Sequence, residues 1–335
     1  MPLLLFPDYT LQTSFTMLLP FPPIRPTVQQ SFRLQNTIAK CVTLQGFGFW
    51  TGEDVVLQFR PAKAGSGVVF VRNDLEALPR IPALVSYREE KPRQTSLVNG
   101  AARVDMVEHV LAAVKALQID NIEIWTNRPE MPGFDGSSRV FAEALENAQP
   151  TQQPAIRPVR VITEAFRVGD ETHYVTAGPH PKGLSSYSYS LVPETDYPLD
   201  AQDYEFELSP ENFKSELAGS RTFLAKHEGD YLLSLGLCQR VTPKDVLVLT
   251  KDGPVDNEYR YENECARHKV LDMLGDFSLT SCDIIGTFES YRGSHSLNAQ
   301  SLLEMEHHSV LLDDEFISQY NEIFCSIEEE QLKAA

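Results

Sequence analysis

The spacing of apolar residues divides the first half of the chain into strands and helices. From residue 36 onward, short runs such as TIAKCVTL, VVLQFRPA and VVFVRND are separated by Gly-containing turns, which is typical of antiparallel strands. Between 104 and 118 the apolar residues instead recur with the period of a helix. A strand, NIEIWT, follows, and then a loop whose Asp135 or Ser137 is placed to cap a helix through RVFAEALENA.

The second half repeats this order of elements. The stretch QPTQQPAIRP has three prolines and no periodicity, which is the composition of a linker. Beyond it, strands are predicted at VRVITEAFRV, HYVTAGPH and SYSYSLV, helices near 211–236 and 263–280, a strand at DIIGTFES, and a further helix after 297. Strands followed by helices in each half predict an α+β fold of two similar domains, each a mainly antiparallel sheet packed on helices.

The boundaries expected from this pattern divide the chain into five segments. They are a disordered N-terminal tail at 1–33, a first domain at 34–150, a linker at 151–158, a second domain at 159–325 and a C-terminal tail at 326–335. The N-terminal segment is apolar but lacks a basic region of the kind that begins a signal peptide, and its prolines break any helix. Met17 is an alternative start within it.

Composition narrows the class of protein. The 335 residues, 42% of them apolar and 23% charged, are typical of a globular protein of two domains. A net charge of −18 argues against a nucleic-acid partner, because phosphates are bound by clustered Lys and Arg. Five cysteines with no C-x-x-C pair argue against a disulfide framework. No later run reaches the roughly 20 apolar residues of a membrane span, so we expect a cytoplasmic protein without stable membrane insertion.

The stretch DMVEHVLAAV places two polar side chains in an apolar helical pattern. Glu108 and His109 lie opposite the apolar stripe, on a face whose other residues are Ala112 and Ala116. Such small residues allow another element to approach. Taken alone, however, a Glu-His pair is more often part of a solvated surface.

The stretch CARHKVLDMLGD forms a second polar stripe. His268, Asp272 and Asp276 recur every four residues, and two ligands at this spacing can hold one metal ion. By itself the spacing is weak evidence, since most such matches are solvated helix faces. Cys265 lies on the apolar side of the helix and is expected in the core.

Together the two stretches contain what a catalytic metal requires. His109, His268 and Asp272 would be three protein ligands with a fourth position open to water, and Glu108 is a carboxylate beside them. Zinc lowers the pKa of bound water to about 7, and a neighbouring Glu can accept its proton. The sequence therefore favours a zinc hydrolase, although two histidines and one carboxylate would also accept Fe²⁺.

Two further motifs offer supporting chemistry. YRGSHSLNAQS carries His295, which is either a polar turn residue or, if held by an acid such as Asp276, a proton donor to a leaving amine. SRTF is expected to open a helix, where Thr222 is either a cap or a hydroxyl facing an oxyanion.

The sequence resembles the UDP-3-O-acyl-N-acetylglucosamine deacetylases, zinc amidases of lipid A biosynthesis. The likeness runs from about 34 to 310, and six stretches carry it in the family's order: GFGFWTGED, VEHVLAAVKALQIDN, EMPGFDGSS, SRTF, RYENECARHKVLDMLGDFSL and GSHSLN. The resemblance implies two α+β domains with the active site between them. It also implies a UDP-linked acylated amino sugar as substrate, and we expect the protein to act as a monomer.

The family's motifs assign roles to particular residues. The metal ligands would be His109, His268 and Asp272. Glu108 would be the general base, His295 with Asp276 the acid or electrostatic partner, and Thr222 would stabilise the oxyanion. Lys269 would meet the substrate's phosphates, and Phe223 would lie beside the ligand.

Two departures from the family pattern leave alternatives open. Phe49 and Trp50 stand where the family has a Leu-His pair, and the segment 235–250 differs from the usual Gly-Gly-Ser to Asn-Ala-Ile stretch. One alternative is therefore a zinc deacetylase acting on a different N-acetylated sugar or amide. Another is a relative that binds zinc without catalysis. A peptidase is least favoured, because the ligands lie on two distant helices without an H-E-x-x-H motif.

Overall fold

The computed structural model describes residues 33–313, together with the backbone of two short strands, β1 (Phe15–Met17) and β2 (Val28–Gln30). These two strands pair antiparallel within the segment predicted to be a disordered tail. Met17, the alternative start, is the last residue of β1. The rest of that segment before residue 33 and the predicted C-terminal tail lie outside the described residues. Among the helices that are described, none is long and apolar enough to cross a membrane.

The first half of the described chain is built mainly from short strands, with two helices. The strands are β3 (Leu34–Ile38), β4 (Val42–Phe47), β5 (Asp54–Pro61), β6 (Val68–Arg72), β7 (Arg80–Pro82), β8 (Arg88–Glu89), β9 (Ser96–Asn99), β10 (Ala102–Asp105), β11 (Ile122–Thr126) and β12 (Pro150–Ile156). The helices are α1 (Glu108–Ala116) and α2 (Arg139–Asn147), and a 3₁₀ turn covers Val85–Tyr87.

The second half carries a larger sheet and the longest described helix. Its strands are β13 (Val159–Ile162), β14 (Phe166–Gly169), β15 (Tyr174–Gly178), β16 (Ser185–Leu191), β17 (Gln202–Glu207), β18 (Phe223–Ala225), β19 (Leu247–Thr250), β20 (Gly253–Pro254), β21 (Asp283–Tyr291) and β22 (Ser309–Leu312). Its helices are α3 (Pro210–Asn212), which continues into a π turn at Phe213–Leu217, then α4 (Lys226–Ser234), α5 (Glu264–Phe277) and α6 (His295–Glu304), with a 3₁₀ turn at Met305–His308.

Two principal sheets carry the fold. The first has the strand order β4-β5-β11-β6-β7, and its pairs are antiparallel except for β11 with β6. The second has seven strands centred on β21, which pairs antiparallel with β15 and parallel with β13 and β16. The predicted α+β class with mainly antiparallel sheets is confirmed, whereas the division into two domains stays a prediction.

Helices α1 and α5 pack directly against each other between the sheets. A Cβ added to Gly275 would lie 2.1 Å from the carbonyl oxygen of Glu108, so only glycine permits this approach. Ala112 and Ala116 are 0% and 1% exposed, which confirms that the small residues of α1 admit another element. The expectation that Glu108 and His109 more often belong to a solvated surface is wrong for this chain, because α5 covers them.

The segment predicted as a linker is a strand. Strand β12 (Pro150–Ile156) pairs antiparallel with β3, and its register shifts between Gln152 and Ile156. Pro154 falls within that irregular interval, where a missing N–H removes no regular ladder bond. Pro150 and Pro154 therefore lie in one strand of a two-stranded sheet rather than in irregular linker backbone, and Pro158 lies beyond it.

The predicted helix at 211–236 is also interrupted. The residues of SRTF do not open a helix, because Phe223–Ala225 form β18, which pairs parallel with β19. The amide of Thr222 donates to the carbonyl of Gly136, and the carbonyl of Thr222 accepts from the amide of Leu247. Both backbone groups are thus used by neighbouring segments, and the helix begins only at Lys226. The cap role considered for Thr222 is excluded by the same geometry.

A partly buried group of charges, here called the Arg33 cluster, joins the two halves of the chain. It consists of Arg33, Lys115, Asp120, Arg157 and Asp283. Asp120 accepts two hydrogen bonds from the Arg33 guanidinium at 2.7 and 2.8 Å and another from the amide of Asn36. Because Lys115 lies at the end of α1 and Asp283 opens β21, the cluster fixes α1 against the larger sheet.

Candidate metal centre

The three predicted ligands converge at the contact between α1 and α5. His109 comes from the first turn of α1, and His268 and Asp272 come from successive turns of α5. One donor atom from each residue lies within 4.8 Å of the other two. Asp272 Oδ1 is 3.5 Å from His109 Nε2 and 3.3 Å from His268 Nε2. This is a three-donor set of the type that holds a catalytic metal with one position left open.

The electrostatics of these side chains suit metal binding. Burial lowers the pKa of His268 to about 3, so the imidazole is neutral and has a lone pair to donate. Burial alone would raise the pKa of Asp272, but the adjacent charges, notably Lys269, hold it well below its usual range. The buried Oδ1 of Asp272 has no hydrogen-bond partner among the described residues. An ionised, unpaired carboxylate oxygen beside two imidazoles fits a cation.

Neighbouring groups orient these ligands. The ring Nδ1 of His268 lies 3.1 Å from the carbonyl oxygen of Ser220, to which it donates when the ring binds through Nε2. The ammonium of Lys269 donates to Asp272 Oδ2 at 2.8 Å, which leaves Oδ1 for the shared centre. Lys269 also faces the cavity described below, as expected for a substrate-binding group.

Glu108 lies beside the ligands and is 3% exposed. Its Oε2 accepts a hydrogen bond of 3.0 Å from the amide of Thr95. Burial raises the pKa of Glu108 above its ordinary value, and the charges of His295 and His109 oppose that rise. A buried carboxylate with a raised pKa is the form in which a general base operates near neutral pH.

His295 begins α6 and faces the same cavity. Its Nδ1 donates to Asp276 Oδ2 at 2.8 Å, and Asn298 donates to the same oxygen. Burial would lower the pKa of His295, but the charge and hydrogen bond of Asp276 raise it to about 9. The structure thus brings together the predicted His295–Asp276 pair, with the imidazole protonated at neutral pH.

The residues of SRTF form part of the cavity wall. Thr222 and Phe223 both line the cavity, and the Phe223 ring stands edge-on to His268 with centroids 6.3 Å apart. Arg221 anchors the stretch through Nε, which donates to Glu264 Oε1 at 2.7 Å. Both members of that pair are buried, and Glu264 is the first residue of α5. The ion pair therefore ties Thr222 to the helix that carries two ligands.

The cavity over these residues has a volume of about 650 Å³. Its lining includes the proposed metal ligands, Glu108 and His295. From the segment 224–255 it includes apolar side chains such as Leu233 and Val248 together with the charged Lys226 and Asp230. The two departures from the family pattern meet at this wall. The amide of Cys238 donates to the carbonyl of Trp50 at 3.3 Å, and Arg240 donates to the carbonyl of Gly52 at 2.6 Å.

Comparison with known proteins identifies the family. The sequence model of the family described as UDP-3-O-acyl N-acetylglycosamine deacetylase matches residues 35–306. The chain belongs to this family. The match covers the predicted ligands His109, His268 and Asp272 together with Glu108 and His295.

Curated deacetylases align with most of the chain. A UDP-3-O-acyl-N-acetylglucosamine deacetylase of Wolinella succinogenes is 35% identical over 84% of this chain and 95% of its own length. Proteins of the same name from Thermosynechococcus vestitus and Myxococcus xanthus are 34% and 33% identical, each over 79% of this chain and over 92% and 83% of their own lengths.

Sequence reasoning missed the groups that hold the deacetylase-family residues in place. Thr95 donates its amide to Glu108 and its hydroxyl to Asp276, and its Oγ1 lies 3.3 Å from His295 Nδ1. Thr95 is 0% exposed. A single threonine between two strands gives no periodic signal, so only the fold reveals its contacts. Cys265 is buried, as expected, and the cysteines among the described residues are free thiols.

Proposed function

We propose that this protein is a metal-dependent deacetylase that removes the N-acetyl group of UDP-3-O-(3-hydroxyacyl)-N-acetylglucosamine in lipid A biosynthesis. The observation that carries the proposal is the convergence of the three ligand atoms within 4.8 Å in a cavity that Glu108 and His295 also line. Membership of the deacetylase family supports the reaction class and the substrate.

The proposed ligands of the metal are His109, His268 and Asp272, and the metal proposed is Zn²⁺, with Fe²⁺ as the alternative. A bound Zn²⁺ would supply Lewis acidity, which polarises a carbonyl and lowers the pKa of water to about 7. The neutral His268 and the ionised Asp272 favour binding because neither has to lose a proton first.

Glu108 is the proposed general base. Its carboxylate accepts a proton from the attacking water, and the Thr95 amide holds it in position through Oε2. Burial favours the uncharged form of Glu108, which increases its readiness to accept that proton. The remaining Oε1 is the oxygen that we assign to the water.

His295 is the proposed acid. Paired with Asp276, the protonated imidazole stabilises negative charge on the substrate and gives its Nε2 proton to the departing amine. Its pKa of about 9 keeps the donor protonated at neutral pH. Glu108 and His295 also interact electrostatically, so the protonation state of each residue shifts the pKa of the other.

The proposed substrate contacts follow the lining of the cavity. Thr222 would donate its hydroxyl to the oxyanion, Phe223 would lie against the sugar or acyl chain, and Lys269 would meet the phosphates. The apolar side chains that line the cavity are suited to the 3-O-acyl chain. The monomeric state and the cytoplasmic location expected from the sequence are part of this proposal.

The same chemistry on a different N-acetylated sugar is the second candidate. It is favoured by the contact between Trp50 and Cys238, since the two segments that depart from the family pattern meet at the cavity wall. Comparing deacetylation of acylated and non-acylated UDP-N-acetylglucosamine discriminates between the candidates. A preference for the non-acylated substrate would support the second.

The direct test is acetate release from the acylated UDP sugar by the purified protein, before and after removal of metal. We expect turnover that disappears on chelation and returns with Zn²⁺. Stoichiometric zinc binding without turnover of this substrate would contradict the proposed reaction. It would favour either a different N-acetylated substrate or a relative that binds zinc without catalysis.

A further inference from the structure

Thr95 is the residue immediately before β9, and it contacts the proposed base as well as the partner of the proposed acid. Its amide donates to Glu108 Oε2 at 3.0 Å, and its hydroxyl donates to Asp276 Oδ1. Thr95 is 0% exposed, so water does not compete for either hydrogen bond. It therefore links α1 to α5 at the two places where the proposed reaction transfers a proton.

The carboxylate of Asp276 uses both of its oxygens. Oδ2 accepts from His295 Nδ1 and from Asn298 Nδ2, each at 2.8 Å, whereas Oδ1 accepts from the Thr95 hydroxyl. Within the part of the chain that the structure describes, Oδ1 has no other donor. Because a buried carboxylate oxygen without a donor is costly, loss of the hydroxyl would favour rotation of the carboxylate. The hydroxyl thus holds Oδ2 towards His295.

The hydroxyl also fixes which nitrogen of His295 carries a hydrogen. It has one hydrogen, and the bond to Asp276 uses it. Its Oγ1 lies 3.3 Å from His295 Nδ1 and can act there only as an acceptor. Nδ1 therefore faces two acceptors, Asp276 Oδ2 and Thr95 Oγ1, and keeps its hydrogen. Nε2 is left as the ring nitrogen that exchanges a proton with the substrate.

We infer that Thr95 is a positioning residue, whose hydroxyl holds the Asp276–His295 pair in the orientation that directs the Nε2 proton of His295 to the departing amine. This inference rests on the proposed function and deepens it. Thr95 is not among the residues that line the cavity over the ligands, so it acts through its neighbours. Since its amide also holds Glu108, the same residue fixes the distance between base and acid.

Ser96 provides a matched control at the next position. It is also 0% exposed, and its hydroxyl donates to Asp105 Oδ1 at 2.6 Å. Asp105 in turn contacts Lys91 and Arg103 rather than the proposed base or acid. Consecutive side chains of an extended segment point to opposite sides, which accounts for the different partners. If buried hydroxyls here serve stability alone, removing either one should have similar effects.

The first measurement is the rate of acetate release by Thr95→Val, Thr95→Ser and Ser96→Ala. Valine keeps the branched shape and the amide but removes the hydroxyl, whereas serine keeps the hydroxyl. We expect kcat of Thr95→Val to fall by about 10- to 100-fold with an unchanged KM, and Thr95→Ser to recover most of that loss. Ser96→Ala should keep the wild-type kcat. Equal kcat values in Thr95→Val and the wild type, or equal losses in Thr95→Val and Ser96→Ala, would overturn the inference.

The second measurement requires no turnover. In a protein with ¹⁵N-labelled histidine, a buried Nδ1–H of His295 that faces two acceptors should exchange slowly with water and give a low-field proton resonance. Its disappearance in His295→Gln assigns it. We expect the resonance to persist in Thr95→Ser and Ser96→Ala and to be lost through exchange in Thr95→Val. An unchanged resonance in Thr95→Val, or none in the wild type, would reject the positioning role.

These two measurements separate the inference from the proposed function. If the wild type does not deacetylate the UDP sugar, the proposed function fails, and the resonance still decides whether the Thr95 hydroxyl holds His295. Should Thr95→Val not fold, Thr95→Cys takes its place, because a thiol is a weak donor and differs from the serine hydroxyl by one atom. The same losses of kcat and of the resonance, relative to Thr95→Ser, are then expected.

Discussion

Two groups of charged and polar residues have opposite hydrogen-bonding patterns. In the Arg33 cluster, both carboxylate oxygens of Asp120 and of Asp283 accept hydrogen bonds from cations. In the proposed metal-ligand set, Asp272 Oδ1 lies beside two imidazoles without a hydrogen-bond partner among the described residues. The side chains of Asp120 and Asp272 are only 2% and 7% exposed, so burial does not distinguish these two carboxylates.

The difference shows how a carboxylate that stabilises the fold can be distinguished in this chain from one that is suited to bind a metal ion. A carboxylate whose oxygens are saturated by guanidinium and ammonium groups holds segments together. A carboxylate that keeps one oxygen without a hydrogen bond, next to neutral imidazoles, is suited to bind a cation. The predictions that follow run from the largest expected effect to the smallest and end on a control.

Replacement of Asp272 by Ala should remove the most activity. Losing one of three ligands should cost both metal affinity and turnover, and we expect the rate of acetate release to fall by at least about a thousandfold. Metal content after dialysis and the deacetylation rate measure the two effects. Near-normal zinc content and turnover in this variant would rule out Asp272 as a ligand.

Glu108→Gln should separate catalysis from metal binding. The amide can still accept from Thr95 but cannot take a proton, so kcat should fall by about 10² to 10⁴ while zinc content stays at the wild-type level. Single-turnover acetate release and zinc analysis provide the check. Unchanged kcat would reject Glu108 as the base, and lost zinc would assign it to the metal site instead.

Asp120→Ala should act on stability rather than chemistry. Arg33 and Arg157 keep Asp283 as a partner but lose the buried carboxylate that they share, and we expect unfolding to be easier by about 1–3 kcal/mol. Denaturant unfolding gives the free energy, and the activity of the folded fraction at low temperature should remain near wild type. A wild-type midpoint would show that the cluster does not stabilise the fold.

Asp276→Asn should move the alkaline limb of the pH profile. Loss of the carboxylate charge lowers the pKa of His295 from about 9, so activity should begin to fall at lower pH, by about tenfold at pH 8. The pH dependence of kcat measures this shift, and Asn298→Ala, which removes only a neutral donor to Asp276, is the comparison. If the alkaline limb did not move, a group other than His295 would be responsible for it.

The same pair contributes to stability with a defined sign. The pKa of His295 is raised from 6.5 to about 9 in the folded protein, so its stabilising contribution is complete below about pH 6.5. That contribution is lost as pH rises through about 9. Unfolding free energies measured between pH 6 and 10 should show the decline in the wild type and a smaller one in Asp276→Asn.

Lys214→Ala is the control with the smallest expected effect. Lys214 and Glu146 form an ion pair whose side chains are 42% and 44% exposed, and pairs in solvent contribute little. We expect a melting temperature and a deacetylation rate that match the wild type within error. A large shift would mean that the distinction between buried and exposed pairs does not hold in this protein.

The sequence predicts the features that depend on the spacing of residues within a single helix or strand. The period of α5 placed His268, Asp272 and Asp276 on one stripe, and the structure brings that stripe to His109. The pattern also predicted α1, α2, α6, β11 and β21. Local periodicity is set by the backbone of a single segment, so it can be recognised without the rest of the fold.

Features that depend on partners from distant segments were not predicted. The strand β18 is stabilised by β19 and by Thr222 backbone contacts, which override the helical pattern around it. Strand β12 likewise depends on β3. The contacts of Thr95 with Glu108 and Asp276 arise only after β9 and α5 have packed against α1.

The close approach at Gly275 has a consequence for biosynthesis. The nascent chain presents His109 long before the ribosome has made His268, and the face of α1 that α5 will cover carries the small residues Ala112 and Ala116 beside Glu108. Until α5 has been synthesised and has packed against α1, that surface can form non-native contacts. Substitutions at Gly275 should therefore reduce the yield of soluble protein in the cell, even where purified material retains turnover.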